Sequence, residues 1–366
     1  MNNKNVLVVN AGSSSIKAAI YKNEQVLLET QINSEQPENL VDNLLAWIDE
    51  NTKDLQIEAI GHRIVHGGNT FTEPVQIDNL NRDKLGTLES LDPDHLPTAL
   101  KIIDEIMSKM PDVPQIACFD TAFFHDIPRV AQILPLPRKY ESIGFRKYGF
   151  HGLSYQSILE TLSQKYSVDV KSLKIVCAHL GSGVSLAAIK NGEPLDTTME
   201  MTPMSGIPMS TRSGNIDPGI VKYLQVKEAM TIEEFDSMTS KQSGLLGISE
   251  TSADMYELLE NSDSDIRCKE AVDVFCYQVK KSIGSLSAVL GGIDVLVFSG
   301  GMGENAPRIR TRVCDGMQYL GIEVDDEKNQ TNTGNISKIG SQTAVYVAHT
   351  NEALIIARQV EECLNK

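Results

Sequence analysis

The chain reads Asn10-Ala11-Gly12-Ser13-Ser14-Ser15 directly after its first apolar run, and a similar stretch returns as His179-Leu180-Gly181-Ser182-Gly183-Val184 after a second one. An Ala-Ala-Ile segment follows each copy. Strand, turn of small residues and strand predict a β-hairpin whose turn offers backbone N–H groups to a phosphate-sized anion. Either copy alone could be an ordinary tight turn. Because the pattern occurs twice, we predict two related α/β halves around a cleft that binds a nucleotide phosphate chain.

The length, composition and charge of the chain fit a two-domain enzyme. A chain of 366 residues with 41% hydrophobic residues can fill two cores. The net charge of −16 opposes non-specific binding to nucleic acid or to an anionic membrane, since both depend on excess Lys and Arg. No apolar run approaches the ~20 residues that span a bilayer, and the cysteines lack metal-binding spacing, so we expect a cytoplasmic protein with reduced thiols.

Apolar periodicity predicts the elements that surround the hairpins. Asp217-Pro218 predicts the start of a short helix, and Thr231 to Glu234 predicts a capping box for the next one. A strand ending at Phe119 places Asp120 at the carboxyl edge of a sheet, where open α/β proteins bind ligands. Helices are predicted at 37–50, 95–110, 265–290 and 351–364, and strands at 115–119, 295–298 and 344–348.

The stretch Ser299-Gly300-Gly301-Met302-Gly303-Glu304-Asn305 is predicted to be a third ligand-binding loop. It follows a buried strand, and its glycines allow a flat base or a phosphate to approach the backbone. It could also be a plain connection. The hairpin turns lack P-loop spacing and are followed by strand instead of helix, which excludes a P-loop or Rossmann turn. Three such segments favour a nucleotide as the ligand.

Two arginines and two carboxylates are candidates for anion and metal binding. Arg63 lies among histidines and glycines, and Arg212 lies in a run rich in Thr, Ser, Pro and Gly. Guanidinium groups grip carboxylate and phosphate bidentately, although two structural salt bridges remain the alternative. Asp120 and Glu352 could hold Mg²⁺, or serve as a turn residue and a helix cap. Lys17 could neutralise a phosphoryl oxygen or be solvated.

Two of the seven histidines stand out by position. His151 has glycine next to it and precedes a predicted helix, while His179 occupies the repeat position of Asn10. A single histidine is more often a hydrogen-bonded packing residue than a catalyst, so position alone leaves both readings open.

These motifs resemble the acetate kinase family in order and throughout the chain. The matching segments are 10–17, 61–68, 119–123, 146–152, 179–183, 202–218, 299–305 and 350–352. The resemblance implies the duplicated actin-like (ribonuclease H-like) α/β fold that sugar kinases and Hsp70 share. It further implies an N-terminal lobe formed by 1–121 and 353–366 and a C-terminal lobe formed by 122–352.

The resemblance also implies a reaction, namely reversible phosphoryl transfer from ATP to acetate, propionate or another short carboxylate, with Mg²⁺ or Mn²⁺ and in a homodimer. Carried over by position, Arg63 and Arg212 would hold the acceptor and the transferring phosphoryl group, and His151 would stabilise the transition state. The other implied roles are a phosphate path (Asn10, Ser13, Ser15, Lys17), metal ligands (Asn10, Asp120, Glu352), an acyl pocket (Val65, Phe150, Pro203) and a nucleotide site (His179, Gly181, Ser182, Gly183, Asp254, Gly300, Gly301, Gly303, Asn305).

The chemistry of a carboxylate acceptor agrees with this residue set. A carboxylic acid with a pKa of ~4 to 5 is already ionised at neutral pH, so no general base is required. The site must instead suppress repulsion between two anions and stabilise charge on the in-line phosphoryl group. Two arginines, a lysine, a histidine and Mg²⁺ supply that positive charge.

Some positions depart from the family pattern. Asp94 stands where an apolar pocket residue is usual, and we hypothesise that it alters acceptor choice. Further departures are Glu200-Met201 where the family has Gly-Phe, Ser182 where it has Asn, and Ser210 where it has Gly. Tyr256 occupies a position near the purine where the family commonly has Arg. A pyrophosphate-dependent kinase of the same fold is an alternative, although it would need no purine site at 299–305. An actin-like or Hsp70-like interaction protein would leave Arg63, Arg212 and His151 without a role.

Overall fold

The computed structural model describes residues 4–12, 15–33, 37–53 and 55–366. It divides into two compact units, which we call unit 1 (Met1–His125, Phe150–Ser157, Asn351–Lys366) and unit 2 (Asp126–Gly149, Ile158–Thr350). Compared with the predicted lobes, unit 1 gains the short segments 122–125, 150–157 and 351–352. Residues around Phe150 and His151 therefore belong to the same compact unit as Arg63.

Strands of both units are short and mostly buried. In the described ranges they are β1 (Asn5–Ala11), β2 (Ser15–Lys22), β3 (Gln25–Asn33), β4 (Ala59–Ile64), β5 (Val75–Gln76), β6 (Gln115–Phe119), β7 (Lys174–Leu180), β8 (Val184–Lys190), β9 (Glu193–Thr197), β10 (Val295–Ser299), β11 (Gly334–Asn335) and β12 (Ala344–Val347).

Helices cover the sheets and fill the connections. In the same ranges they are α1 (Pro37–Asn51), α2 (Asn79–Gly86), α3 (Leu96–Lys109), α4 (Arg129–Gln132), α5 (Gly152–Glu160), α6 (Gly219–Glu228), α7 (Ile232–Lys241), α8 (Gly244–Ser249), α9 (Met255–Asn261), α10 (Ile266–Leu290), α11 (Gly300–Asn305), α12 (Pro307–Cys314), α13 (Asp326–Asn329) and α14 (Glu352–Leu364). None of those helices is both long enough and apolar enough to cross a membrane.

The two sheets repeat one topology. Unit 1 has the strand order β3-β2-β1-β4-β6-β5, and unit 2 has β11-β12-β10-β7-β8-β9. In each, the hairpin strands are antiparallel (β1 with β2, β7 with β8), and the first hairpin strand pairs in parallel with a later strand (β1 with β4, β7 with β10). The predicted duplication of hairpin and α/β lobe is confirmed.

The sequence of β1 is continuously apolar because both faces of the unit 1 sheet are covered. Side chains alternate across a strand, so Leu7 and Val9 enter the core that includes Leu44 of α1 and Ile103 of α3. Val6 and Val8 point to the other face and enter a second core that includes Ile356 of α14. A strand buried on both faces cannot alternate apolar and polar residues, which explains its continuous hydrophobic sequence.

The long helix of unit 2 agrees with its prediction except at its first turn. Asp265 is the N-cap, and its side chain accepts from the Arg267 backbone N–H, while Gly291 ends the helix in the left-handed conformation with φ 67°. The predicted apolar stripe of α10 from Val272 to Leu290 is buried. Ile266, which has the same helical spacing but lies in the first turn, is 64% exposed.

Two local predictions need correction and one is confirmed. The segment after β10 is not a loop, because Gly300 to Asn305 forms the short helix α11. The helix predicted to start with Asp217 as its N-cap begins one residue later, with Pro218 as the cap, although the Asp217 side chain still accepts from the Gly219 backbone N–H at 2.7 Å. The capping box between Thr231 and Glu234 is present as predicted.

Candidate functional site

Arg63 and Asp120 meet at the carboxyl edge of the unit 1 sheet. Arg63 is the penultimate residue of β4, and Asp120 directly follows β6, its parallel neighbour. The Arg63 guanidinium donates to both carboxylate oxygens of Asp120, at 2.6 Å from Nη2 and 3.3 Å from Nε. Its Nη1 donates to the Asn10 side-chain oxygen at 3.1 Å. The arginine therefore has one fixed orientation, which the parallel strands dictate.

Burial and neighbouring charges act together on this ion pair. Burial lowers the pKa of Arg63, but the charges of Asp120, Glu352 and Asp92 outweigh it, so the net pKa is raised and Arg63 is a permanent cation. Burial also raises the pKa of Asp120, which the Arg63 charge opposes. The Asp120 side chain is only 1% exposed. Separating the pair would leave an uncompensated buried charge, which is why the two side chains hold each other in place.

Glu352 extends the network to the start of α14. Its Oε2 accepts from the Asn10 side-chain nitrogen at 3.2 Å, and its Oε1 accepts a very short hydrogen bond from the Ser154 hydroxyl. Two carboxylates and an amide oxygen are thus connected through Asn10 and Arg63. This donor set fits Mg²⁺, which takes one or two carboxylates together with water and phosphate oxygens. No cluster of three or more His, Cys, Asp or Glu side chains suited to a metal occurs in the described ranges.

His151 reaches this network through its backbone. Its backbone N–H donates to the Asp120 carboxylate, and its φ of 61° lies in the left-handed region that non-glycine residues rarely adopt. Gly152 follows and donates its N–H to the Asp120 carbonyl at 3.1 Å. A Cβ on Gly152 would lie 2.1 Å from that carbonyl oxygen. Close packing of the backbone against Asp120 therefore fixes the position of the His151 Cα, from which its side chain extends.

Val65 and Phe150, two of the predicted acyl-pocket residues, belong to unit 1 together with His66. All three are buried in unit 1. The Phe150 and His66 rings meet edge to face with centroids 5.4 Å apart. The Gly68 backbone N–H donates to His66 Nδ1 at 3.0 Å, which leaves the proton of a neutral ring on Nε2.

The first hairpin brings two more predicted residues to this edge. Strand register pairs Asn10 with Lys17, so both side chains lie on the same face of β1 and β2. Lys17 is exposed, and the Ser15 carbonyl accepts from the Gly12 backbone N–H at 2.8 Å. Ser13 lies outside the described residues.

The acidic departure from the family pattern has an unexpected arrangement. Asp94 is exposed, whereas Asp92, two residues earlier, is 3% exposed. Asp92 Oδ1 lies 2.7 Å from His95 Nδ1. The Asp92 charge is one of those that raise the pKa of Arg63. Asp92 thus adds to the effect of Asp120 and Glu352 on Arg63, whereas the exposed Asp94 is the residue that the sequence hypothesis expected to alter acceptor choice.

Arg212 and Pro203 lie together in unit 2. The Arg212 guanidinium donates to the Pro203 carbonyl at 3.2 Å and contacts the Met209 sulfur at 3.7 Å. The turn is closed by a backbone hydrogen bond from Met209 N–H to the Arg212 carbonyl at 2.9 Å. Gly244, with φ 60°, packs so tightly here that a Cβ would lie 2.1 Å from the Met209 carbonyl oxygen. A close-packed backbone therefore supports Arg212.

The second hairpin turn packs against the start of α11. Gly181 donates its N–H to the Gly183 carbonyl at 3.1 Å across the turn. Gly300 has φ 75°, and a Cβ there would lie 2.9 Å from the Leu180 carbonyl and 3.1 Å from the Gly181 nitrogen. Only glycine allows this approach. Two segments that are far apart in sequence therefore meet at one place in unit 2.

A cavity of about 400 Å³ opens beside this meeting point. Among the predicted nucleotide residues, Gly181, Ser182, Asp254, Gly301 and Asn305 line it, whereas His179, Gly183, Gly300 and Gly303 do not. Its volume lies in the range of small-molecule sites. The other lining residues are Ser210, Ala253, Met255, Tyr256, Leu259, Glu260, Met302, Ala306, Pro307 and Arg308.

Asp254 and Glu304 shape the cavity wall through backbone contacts. The Asp254 side chain caps α9 by accepting from Tyr256 N–H at 2.7 Å and Glu257 N–H at 3.3 Å. Glu304 Oε1 accepts from Gly300 N–H at 3.0 Å, and its other oxygen lies 2.5 Å from His349 Nδ1. Asp254 therefore supports the wall as a helix cap, and His349 supports α11 through Glu304.

Three residues of these sites escaped the sequence analysis. Ser154 binds Glu352 from a position 198 residues away, and Asp92 acts on Arg63. Arg308 lines the cavity and donates to the Leu259 carbonyl at 3.2 Å. The only sequence signal for Ser154 was its position two residues after Gly152, on the first turn of the predicted helix. No local signal marked the other two.

Comparison with known proteins gives one consistent result. The sequence model described as the Acetokinase family matches residues 28–358. An acetate kinase of Rickettsia akari (strain Hartford) is 39% identical, over 97% of this chain and 98% of that protein. The crystal structure of Porphyromonas gingivalis acetate kinase matches with a TM-score of 0.89 and 33% identity, over 99% of this chain and 100% of that one. A propionate kinase from Francisella tularensis subsp. tularensis matches with a TM-score of 0.90 and 32% identity, over 98% and 99%.

Proposed function

Because the chain belongs to the acetokinase family, we propose that it is an acetate kinase that transfers the terminal phosphoryl group of ATP to a short carboxylate. Similar proteins are named acetate kinase and propionate kinase, so acetate and propionate are the acceptors that we propose first. The observation that carries the proposal is the Arg63 guanidinium, fixed by Asp120 and Asn10 as a permanent cation at the sheet edge.

The proposed reaction needs positive charge and orientation more than proton transfer. One carboxylate oxygen of the acceptor attacks the terminal phosphorus, a new P–O bond forms, and the bond to the leaving ADP oxygen breaks. The acceptor is ionised at neutral pH, so no base removes a proton. Arg63 orients the acceptor, and Arg212 and His151 stabilise the charge on the transferring group. Val65, Phe150 and Pro203 pack against the acyl group.

We propose Asn10, Asp120 and Glu352 as the Mg²⁺ site, with Mn²⁺ as an alternative ion. Bound there, Mg²⁺ would neutralise charge on the phosphate oxygens. The fit rests on the connection of two carboxylates through Asn10 and Arg63. Ser15 and Lys17, at the hairpin that contains Asn10, would line the phosphate path.

The purine is proposed to lie in the unit 2 cavity. Tyr256, Met302 and Pro307 supply apolar surface for a flat base, and Gly301 and Gly181 leave backbone accessible. This cavity also favours ATP over pyrophosphate as the donor, because pyrophosphate carries no base to fill it.

The test is trapping of acyl phosphate with hydroxylamine. Purified protein is mixed with MgATP and, in separate reactions, with acetate, propionate, butyrate, hydroxy acids and dicarboxylic acids. Strong signal with acetate or propionate supports the proposal. Signal with other acids but not with acetate or propionate would mean that the chain is a kinase of a different carboxylate. Signal with pyrophosphate in place of ATP would contradict ATP as the phosphoryl donor. No signal with any acid would overturn the function.

We also propose a homodimer that uses α6. This helix contributes no buried residue to unit 2, and it exposes Ile220, Tyr223 and Val226 at 37%, 62% and 76%. Apolar side chains exposed together on one helix are typical of an interface. Sedimentation equilibrium should give a dimer for the native chain and a shift toward monomer for Tyr223→Lys. A monomeric native protein would contradict this proposal, and the cytoplasmic location stays a prediction.

A further inference from the structure

Arg310, on α12, has an environment that is unusual for an arginine. It is fully buried, with 0% exposure. A buried cation normally has a carboxylate partner, because removing an isolated charge from water is costly. Within the described part of the chain, each oxygen that accepts from Arg310 belongs to a neutral carbonyl or amide group.

The guanidinium makes five hydrogen bonds, as many as it has N–H groups. Nε donates to the Asn329 side-chain oxygen at 2.7 Å, and Nη2 donates to the Asn329 carbonyl at 2.5 Å and to Asn332 Oδ1 at 2.7 Å. Nη1 donates to the carbonyls of Gly303 and Glu304, at 2.8 and 2.9 Å. Burial lowers the pKa of Arg310 to about 10, so it remains a cation at neutral pH.

The acceptors connect this arginine to the cavity wall. Gly303 and Glu304 are in the last turn of α11, where helix carbonyls lack helical partners and attract a cation. Asn329 in turn donates to the carbonyl of Pro307, the first residue of α12, at 3.0 Å. Gly301, Met302 and Pro307 line the cavity. Arg310 itself does not line it, so any influence on a ligand must act through these segments.

We propose that Arg310 is a positioning residue for nucleotide binding, because it fixes α11 and the α11–α12 turn in the shape that the base and ribose require. The inference rests on the proposed nucleotide role of the cavity. Lysine at this position keeps the charge but has only three N–H donors for the five hydrogen bonds and lacks the planar fork, so it cannot reproduce the connection between α11 and residues 329–332.

The experiment compares Arg310→Lys and Arg310→Met with the native protein. Calorimetry with MgADP should show binding weakened about tenfold or more in Arg310→Lys, and more in Arg310→Met. Steady-state assays should show a matching rise in KM for ATP while KM for the acceptor stays within about twofold. Arg312→Lys is the matched control, because Arg312 is on the same helix but is partly exposed and paired with Asp273 at 3.2 Å.

Two results would overturn the proposal. One is unchanged MgADP affinity in Arg310→Lys with intact folding. The other is a similar rise in KM for ATP and for the acceptor together with a lower thermal stability, which a general structural role predicts. If Arg310→Lys does not fold, Asn332→Ala decides, since it removes one acceptor, and unchanged MgADP affinity there overturns the proposal. Failure of the native protein to bind MgADP would instead contradict the nucleotide site itself.

Discussion

Acid should weaken unit 1 through one buried histidine, His62. This residue of β4 is 2% exposed, and its Nε2 lies 2.6 Å from Gln115 Oε1. An amide oxygen only accepts, so Nε2 carries the proton of a neutral ring. Burial lowers the pKa of His62 from 6.5 to about 4, and the Gln115 hydrogen bond opposes this only in part. Protonation is therefore far more favourable in the unfolded chain.

The size of the effect follows from the two pKa values. The difference between 6.5 and about 4 corresponds to about 3 kcal/mol of unfolding free energy. This stability is fully present above pH 6.5 and is lost as the pH falls toward 4, because the unfolded state binds the proton first. Between pH 7.5 and pH 5, about 2 kcal/mol should be lost through His62 alone.

Urea unfolding measures this loss in unit 1. Trp47 is the single tryptophan of the chain and lies on α1, so its fluorescence reports on that unit. The native protein and His62→Gln are compared at pH 7.5 and pH 5. Glutamine cannot titrate, so the native protein should lose about 2 kcal/mol more than the variant between the two pH values.

Subtraction of the variant removes the contribution of all other titrating groups. His349→Gln is the control, because His349 belongs to unit 2 and the Trp47 signal, which reports on unit 1, should change with pH as it does in the native protein. Equal losses in the native protein and in His62→Gln would refute the reasoning and would mean that His62 is not held neutral by burial.

Three further predictions concern the site. Arg212→Ala should lower turnover about 10²- to 10⁵-fold in the acyl phosphate assay, and a loss below about tenfold with intact folding would contradict its role. Gly152→Ala should lower both the melting temperature and turnover, because its Cβ would lie 2.1 Å from the Asp120 carbonyl oxygen; unchanged melting would show that the backbone can relax. Asp92→Ala should lower KM for acetate about fivefold by removing a repulsive charge of ~1 kcal/mol, whereas Asp94→Leu should change it little; a larger effect of Asp94→Leu would support the hypothesis that Asp94 alters acceptor choice.

Much of the fold could be predicted because its signals are local. The hairpins follow from apolar runs broken by small residues, and their repetition predicts the repeated sheet order. Arg63 and Asp120 could be identified because parallel strands bring their carboxyl ends to one edge. Local signals failed at α11, where three glycines suggested a loop but the helix is held by Glu304 and Arg310.

The sequence by itself determined the two α/β lobes, the hairpins and the residue types that can bind anions. Tertiary structure alone decided which charges meet. Ser154 reaches Glu352 across 198 residues, and the buried Asp92 acts on Arg63 together with Asp120 and Glu352, whereas Asp94 is exposed. The physical reason is that strand and helix periodicity act over a few residues, whereas burial and hydrogen-bond partners depend on segments that only folding brings together.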